Sequence, residues 1–454
     1  MQRMTAGPAL LALPILILLG ACAGPVADRA FQDIATQTEQ QIGQRPVWIR
    51  DEKDEQAARQ TLDRLLAKPV SADDAVQIAL LNNRRLQGRL AELGIGAADL
   101  TASWRPANPG IGFSRLQRSG EVEIERSFSI DALSLIALPL RAGIEARQFE
   151  RTKLQTAGEI LTLAAQTKRA WYEAVAAEQT ARYIESTRET ASVQAELARR
   201  MYQAGNWGML DYAREQLFYA DATARLARSR MAAAAAREKL ARLMGLWGDD
   251  LGFTLPGRLP VLPAKPREAG NIEAAAIAGR LDIKQAQAEL DAVRKAYGLT
   301  NALRFVNVLE TGFVRKSEEG RSDQVGYEIR LEIPIFDFGD AKATRAEQTW
   351  RQAVNRLTDS AVDARSAARE TWLGYRTAYD LARHYQTEIL PLRQKIGEEM
   401  VLRYNGMLVS VFDLLADARE QIADVTAALE AQRDFWIADT DLTFVTLAAT
   451  NTGR

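Results

Sequence analysis

Glu121-Val-Glu-Ile-Glu-Arg-Ser-Phe-Ser-Ile130 alternates with the two-residue period of a β-strand. Val122, Ile124, Phe128 and Ile130 fall on one face, with Arg126 the one misfit; Glu121, Glu123, Glu125, Ser127 and Ser129 fall on the other. Tyr327-Glu-Ile-Arg-Leu-Glu-Ile-Pro-Ile335 repeats the pattern, with Tyr327, Ile329, Leu331, Ile333 and Ile335 opposite Glu328, Arg330 and Glu332. The neighbouring stretches, about 110–118 and about 304–315, read as hairpin partners, joined through Arg118-Ser-Gly120 and a charged Lys316–Asp323 loop. Strands of about ten residues, apolar outside and polar inside, suit a transmembrane barrel. A half-buried soluble sheet shows the same alternation, but the chain offers no other amphipathic sheet for it to pack on. Four strands cannot close a barrel, and an open edge in lipid leaves amides unpaired, so several chains must contribute. The sequence itself does not choose how many.

Around each strand pair the sequence is helical. Ser71-Ala-Asp-Asp74 forms a capping box that starts a helix expected to run to about Trp104, ahead of Pro106 and Pro109. After the strands, a long helix is expected from about Leu140 to Tyr202, then a break at Gly205–Gly208 and a last helix over Met209–Leu243. The second half repeats this plan as about Ile272–Ala302, strands, Ala341–Tyr404, a Gly406 break and Val411–Leu447, with Pro391 expected to kink the long helix. A long helix of about 63 residues spans roughly 95 Å, close to the two short helices of the same half laid end to end. That match suggests a tall cylinder of helices, although an elongated coiled-coil scaffold has similar lengths.

The halves also echo one another in sequence. Ala75 to Leu86, followed by Ala91-Glu92-Leu93, is matched by Ala276 to Ile283, followed by Ala288-Glu289-Leu290. Arg200-Met-Tyr202 through Gly205 to Leu210-Asp211 is matched by Arg403-Tyr404-Asn-Gly406 to Phe412-Asp413. The expected organisation is a signal over 1–21, a connecting segment over 22–70, a first copy over 71–250, a proline-rich linker over 251–270 and a second copy over 271–450. A repeat of about 200 residues is far longer than solenoid periods.

The N-terminus is an export signal. Arg3 precedes the apolar run Ala9–Leu19, which is too short to span a bilayer, and Leu19-Gly-Ala-Cys22 follows. This resembles a bacterial lipoprotein signal, in which cleavage precedes Cys22 and its thiol is lipidated; an ordinary signal peptide with a chance cysteine is the plainer alternative. Cys22 is the only cysteine in 454 residues, so no disulfide is possible within the chain. His384 is the only histidine, so neither a zinc cluster nor a Ser/His/Asp arrangement is expected; no catalytic residue, metal or cofactor is assigned. With 58 basic and 59 acidic residues the chain lacks the basic excess of a nucleic-acid binder.

Two features are specific enough to suggest a family: Leu331-Glu-Ile-Pro334-Ile-Phe-Asp337-Phe-Gly339 ahead of an alanine-containing helix, and Tyr404…Gly406…Phe412-Asp413-Leu-Leu415-Ala416. Together with the duplication they resemble the TolC-type outer-membrane efflux ducts, over roughly residues 65–450. Tyr202, Gly205 and Asp211 give a weaker first-copy version, and Asp131–Arg141 departs from the proline-to-glycine turn, leaving the start of the first long helix open. The resemblance implies a mainly α protein forming a homotrimer, with a 12-stranded membrane β-barrel and an α-helical barrel in the periplasm. It implies coupling to an inner-membrane pump through a periplasmic adaptor, with Ala23 after the lipidated cysteine fitting outer-membrane sorting. On that reading the expected function is conduction, not bond chemistry. Glu121, Glu123, Glu125, Glu328 and Glu332 would line the channel, or be merely solvated. Gly205, Asp211, Gly406, Leu408, Val409 and Asp413 would dock the adaptor, although Leu408 and Val409 could equally pack between helices of the trimer. Glu398 and Glu399 would form a constriction. The competing reading is a non-conducting, lipid-anchored periplasmic scaffold. Metal ion, drug and secreted protein all stay open as the cargo.

Overall fold

The computed structural model describes residues 23–118, 121–268, 270–303, 308–318, 321–332 and 339–448. Cys22 with the signal, the Pro334 turn and the start of the third expected strand lie outside the described residues. In order the elements are α1 (Ala23–Ile42), α2 (Glu52–Leu66), α3 (Ala72–Asn82), α4 (Arg84–Ser103), β1 (Gly110–Arg118), β2 (Glu121–Asp131), α5 (Ala132–Gln203) and α6 (Met209–Met244). Then follow α7 (Ile272–Gly279), α8 (Leu281–Leu303), β3 (Val308–Glu318), β4 (Gln324–Glu332), α9 (Asp340–His384), α10 (Leu390–Asn405) and α11 (Val411–Phe444). No described helix is long and apolar enough to cross a membrane. The chain divides into two compact units.

Of the described residues, the first unit gathers 23–34 with Gly88–Ala157 and Leu281–Val362. Its sheet is antiparallel throughout, in the order β1-β2-β3-β4. β3 runs past the expected end at Arg315: Lys316 pairs in register with Gln324 and belongs to the strand, not to a loop. Helices α5, α8 and α9 are tied by Glu289, which faces Arg356 at 3.1 Å and Arg151 at 3.9 Å. The first long helix starts at Ala132, eight residues before the expected start. Asp131 caps it, its Oδ1 accepting from the Ser134 amide at 2.9 Å, and Pro139 is carried inside the helix.

The second unit comprises Ala35–Gln87, Gly158–Arg280 and the chain from Asp363 onward. Its core is built on Trp171, whose indole donates to the Val70 carbonyl at 2.8 Å, and on Tyr172, which stacks on Trp436. A second cluster holds Tyr375, Tyr379 and Phe435. The proline-rich connection is pinned to the helices. Trp436 and Gln432 both donate to the Pro260 carbonyl, and the Tyr375 hydroxyl accepts from the Arg267 amide.

Three expectations change in this unit. The segment before Pro69, read as a connector, contains α1 and α2, whose Ala58 and Leu62 are buried. Each expected first helix is two: the backbone leaves the helix at Asn83 (ψ 112) and at Arg280 (ψ 131). The side chains of Asn82 and Asn83 donate to the Gly245 and Leu243 carbonyls at the end of α6, which holds that bend. Gly245 is left-handed there (φ 70), and a Cβ on it would lie 2.6 Å from the Asn82 carbonyl oxygen. Finally, the irregularity expected at Pro391 takes the form of a change in helix type. One π turn, Tyr385–Ile389, precedes the proline and absorbs the lost donor and the ring's crowding of the previous turn.

Candidate functional site

Strand register assigns faces across the whole sheet. Glu121, Glu123, Glu125 and Glu328 share one face, and Glu332 closes β4 at a position of the same parity, opposite Val308. That face also carries Lys316 and Arg330. Lys316 lies 3.3 Å from Glu123 and 3.5 Å from Glu125; Arg330 reaches Glu310 at 2.9 Å and Glu328 at 3.0 Å. Glu123, Glu125, Glu310 and Glu328 are thus knitted into ion pairs, and the face is a mixed lattice with an acidic surplus. Ile111, Phe113, Phe128, Phe313, Tyr327 and Ile329 occupy the opposite face, all exposed, Ile111 at 84% and Tyr327 at 81%. A contiguous apolar face this open calls for an apolar neighbour. The sheet's outer strands, β1 and β4, each have one unpaired edge among the described residues.

The two helix breaks lie together in the second unit. Trp207 of the first contacts Phe412 just after the second, their rings 5.9 Å apart, and Arg214 sits over the same Phe412 ring at 5.8 Å. Each break is a five-residue connection closed by the same hydrogen bond, from the amide of one residue to the carbonyl five back: Asn206 to Met201 at 2.9 Å, Leu408 to Arg403 at 2.8 Å. In the first, Gly205 takes the left-handed position (φ 77); in the second it is Met407 (φ 58), while Gly406 stays at negative φ. Asp413 is bound into a capping box with Ser410, whose hydroxyl and amide hold its carboxyl below the usual range. Asp211 occupies the matching position in α6, but its N-cap is Gly208, which offers no side chain. Met407 is 92% and Leu408 77% exposed, whereas Val409 is half-buried.

Glu398 and Glu399 are both exposed. Glu399 pairs with Arg403 at 2.8 Å, and Glu398 accepts from Gln394 at 3.0 Å. Glu398 borders a cavity of about 620 Å³ with Gln194, Val401, Leu402 and Leu414. Close by is a cluster that reading the sequence missed. Arg393 of α10, largely buried, meets Asp424 at 2.6 Å, Glu420 at 3.0 Å and Asp417 at 3.1 Å, all on α11. The 417, 420, 424 spacing places three carboxylates on one helix face, and that signal could have found it. Among the described residues no group of side chains could hold a metal ion.

No protein-family model matches the chain, and no curated protein matches it in sequence. Solved structures do match in shape. The outer membrane protein VceC of Vibrio cholerae superposes with a TM-score of 0.69 at 14% identity, covering 84% of this chain and 96% of its own. CusC, whose structures concern folding and transmembrane channel formation, gives 0.68 at 17% identity, covering 83% and 92%. The Campylobacter jejuni outer membrane channel CmeC gives 0.64 at 14% identity, covering 87% of each chain. This chain has the fold of the TolC-type outer-membrane channels.

Proposed function

We propose that the protein is a subunit of an outer-membrane duct that conducts cargo outward from a periplasmic adaptor and an inner-membrane pump. The sheet carries this reading: over four strands, the large apolar side chains gather on one exposed face and the carboxylates with Lys316 and Arg330 on the other, as in a wall between lipid and water. Three chains contributing four strands each would satisfy both unpaired edges in a twelve-stranded barrel. Lipidated Cys22 would anchor each chain. The acidic surplus on the inner face, with Lys316 and Arg330 tempering it, would favour cations without excluding zwitterions. The paired helix breaks, with Leu408 outermost, would meet the adaptor. Nothing in the lining selects a metal ion, drug or protein as cargo.

The test sets the two faces against each other. Ile329→Lys places a basic group on the lipid side and is expected to impair assembly, at about 2–4 kcal/mol near mid-membrane. Glu328→Lys is expected to assemble and to shift ion selectivity in planar bilayers. Identical behaviour of the two variants, or purified protein that inserts and passes no current, would remove the duct reading and favour the non-conducting scaffold. Charged replacements at Leu408 and Val409 are expected to leave the oligomer intact and abolish export. Oligomers that fall apart in detergent would instead make those residues packing between subunits.

A further inference from the structure

The outward face of the sheet is not uniformly apolar. Across the four strands the register builds a row of Ile111, Phe128, Phe313 and Tyr327, three of its four members aromatic. The next row toward the two hairpin turns, about 7 Å along the strands, reads Phe113, Arg126, Arg315 and Val325. One row further, Arg115 stands beside Ile124. All three arginines are exposed. Arg126 and Arg315 are direct cross-strand neighbours, an arrangement of like charges that is unfavourable unless a counter-charge joins it. Among the described residues Asp323 supplies a carboxylate, held by Arg315 at 2.9 Å and drawn also by the charge of Arg126. The polar face differs: there each of Lys316 and Arg330 touches two carboxylates.

An aromatic row followed by basic groups is what the boundary between hydrocarbon and headgroups selects. The three basic residues are all arginine, whose planar fork matches a phosphate in two-point contact. We propose that Arg115, Arg126 and Arg315 form a site for the phosphate-bearing headgroup of a membrane lipid at the hairpin end of the barrel. The aromatic row seats the adjoining acyl chains. The site rests on the membrane reading given above.

Native mass spectrometry of the full-length protein, delipidated and supplied with a bisphosphorylated glycolipid or its dephosphorylated form, tests this. The wild-type protein is expected to retain the phosphorylated lipid about tenfold better. That preference is expected to vanish in R115Q/R126Q/R315Q and to persist in R330Q, which removes a charge from the other face. Equal retention of both lipids by the wild-type protein, a comparison that needs no variant, would overturn the site. So would an undiminished preference in the triple variant, or complete displacement of the lipid by millimolar inorganic phosphate. Protein that inserts and conducts yet shows no headgroup preference loses this site alone; protein that fails to enter bilayers loses the membrane reading with it.

Discussion

The two helix breaks reach one backbone shape by different means. Each connects two helices through five residues, and each closes with an amide reaching five residues back. The first places glycine where the chain turns left-handed and leaves its next helix without a side-chain cap. The second puts Met407 in the left-handed position, one residue after the available glycine, and then caps α11 fully with Ser410 and Asp413. On the helix before the first break, Glu196 pairs with Arg199 and Arg200 at the surface; on the helix before the second, at its far end, Arg393 meets three carboxylates of α11. A non-glycine residue at positive φ costs energy and persists only where its surroundings hold it. The second break therefore combines strain and a full cap within five residues, while exposing Met407 and Leu408. The lesson is that a shared hydrogen-bond pattern says little about where the stability of a turn resides.

The largest expected effect breaks that contrast at Arg393. Arg393→Met strands Asp417 and Asp424 without a cation and should lower stability by on the order of 2–3 kcal/mol in urea melts. Arg199→Gln, at the exposed counterpart, should leave the melt unchanged.

The left-handed positions come next. Gly205→Ala should cost about 1–2 kcal/mol, whereas Met407→Gly should be neutral or stabilise by up to about 1 kcal/mol. Matching losses at both positions would show that the Met407 side chain is held by contacts and that the asymmetry is illusory.

Capping gives a smaller pair. Ser410→Ala should cost about 1 kcal/mol. Gly208→Ser, which puts a hydroxyl beside Asp211, should gain roughly 0.3 kcal/mol and make the first break resemble the second. Thermal melts of the two variants and of their double mutant measure both.

The smallest effect is a pH dependence. Glu215 of α6 is buried, its Oε2 lacks a hydrogen bond, and burial raises its carboxyl above the usual range while Arg419 pulls it partly back. A raised carboxyl binds its proton more readily in the folded chain. Its contribution to stability is therefore greatest at low pH and falls as pH rises through the folded value. Glu215→Gln should flatten that slope, read from chemical melts across pH. An unchanged slope would mean that Glu215 is paired in solution.

Much of the architecture was legible residue by residue. The alternation in Glu121–Ile130 and Tyr327–Glu332 predicted strands whose faces the register reproduces, and Ser71 and Met209 mark helix starts to within a residue. The errors have different causes. Asn83 bends the chain because the end of α6, some 160 residues later, accepts its amide, and no local signal announces that partner. Ala132 begins α5 because Asp131 serves as its cap, a local signal in Asp131-Ala-Leu-Ser134 that was open to reading. Lys316 looked like loop because its hairpin is charged; its strand membership follows from pairing with Gln324.

By itself the sequence determined properties that depend on near neighbours: strand faces from a period of two and the starts of several helices from their caps. The tertiary structure alone decided which charges meet. Lys316 and Glu123 stand 193 residues apart in the chain and become neighbours only because β3 pairs with β2. Arg393 finds its carboxylates only because α11 folds back along α10. Local propensities act over a few residues, whereas strand register and helix packing are settled by burial and pairing summed over whole elements, which no short stretch encodes.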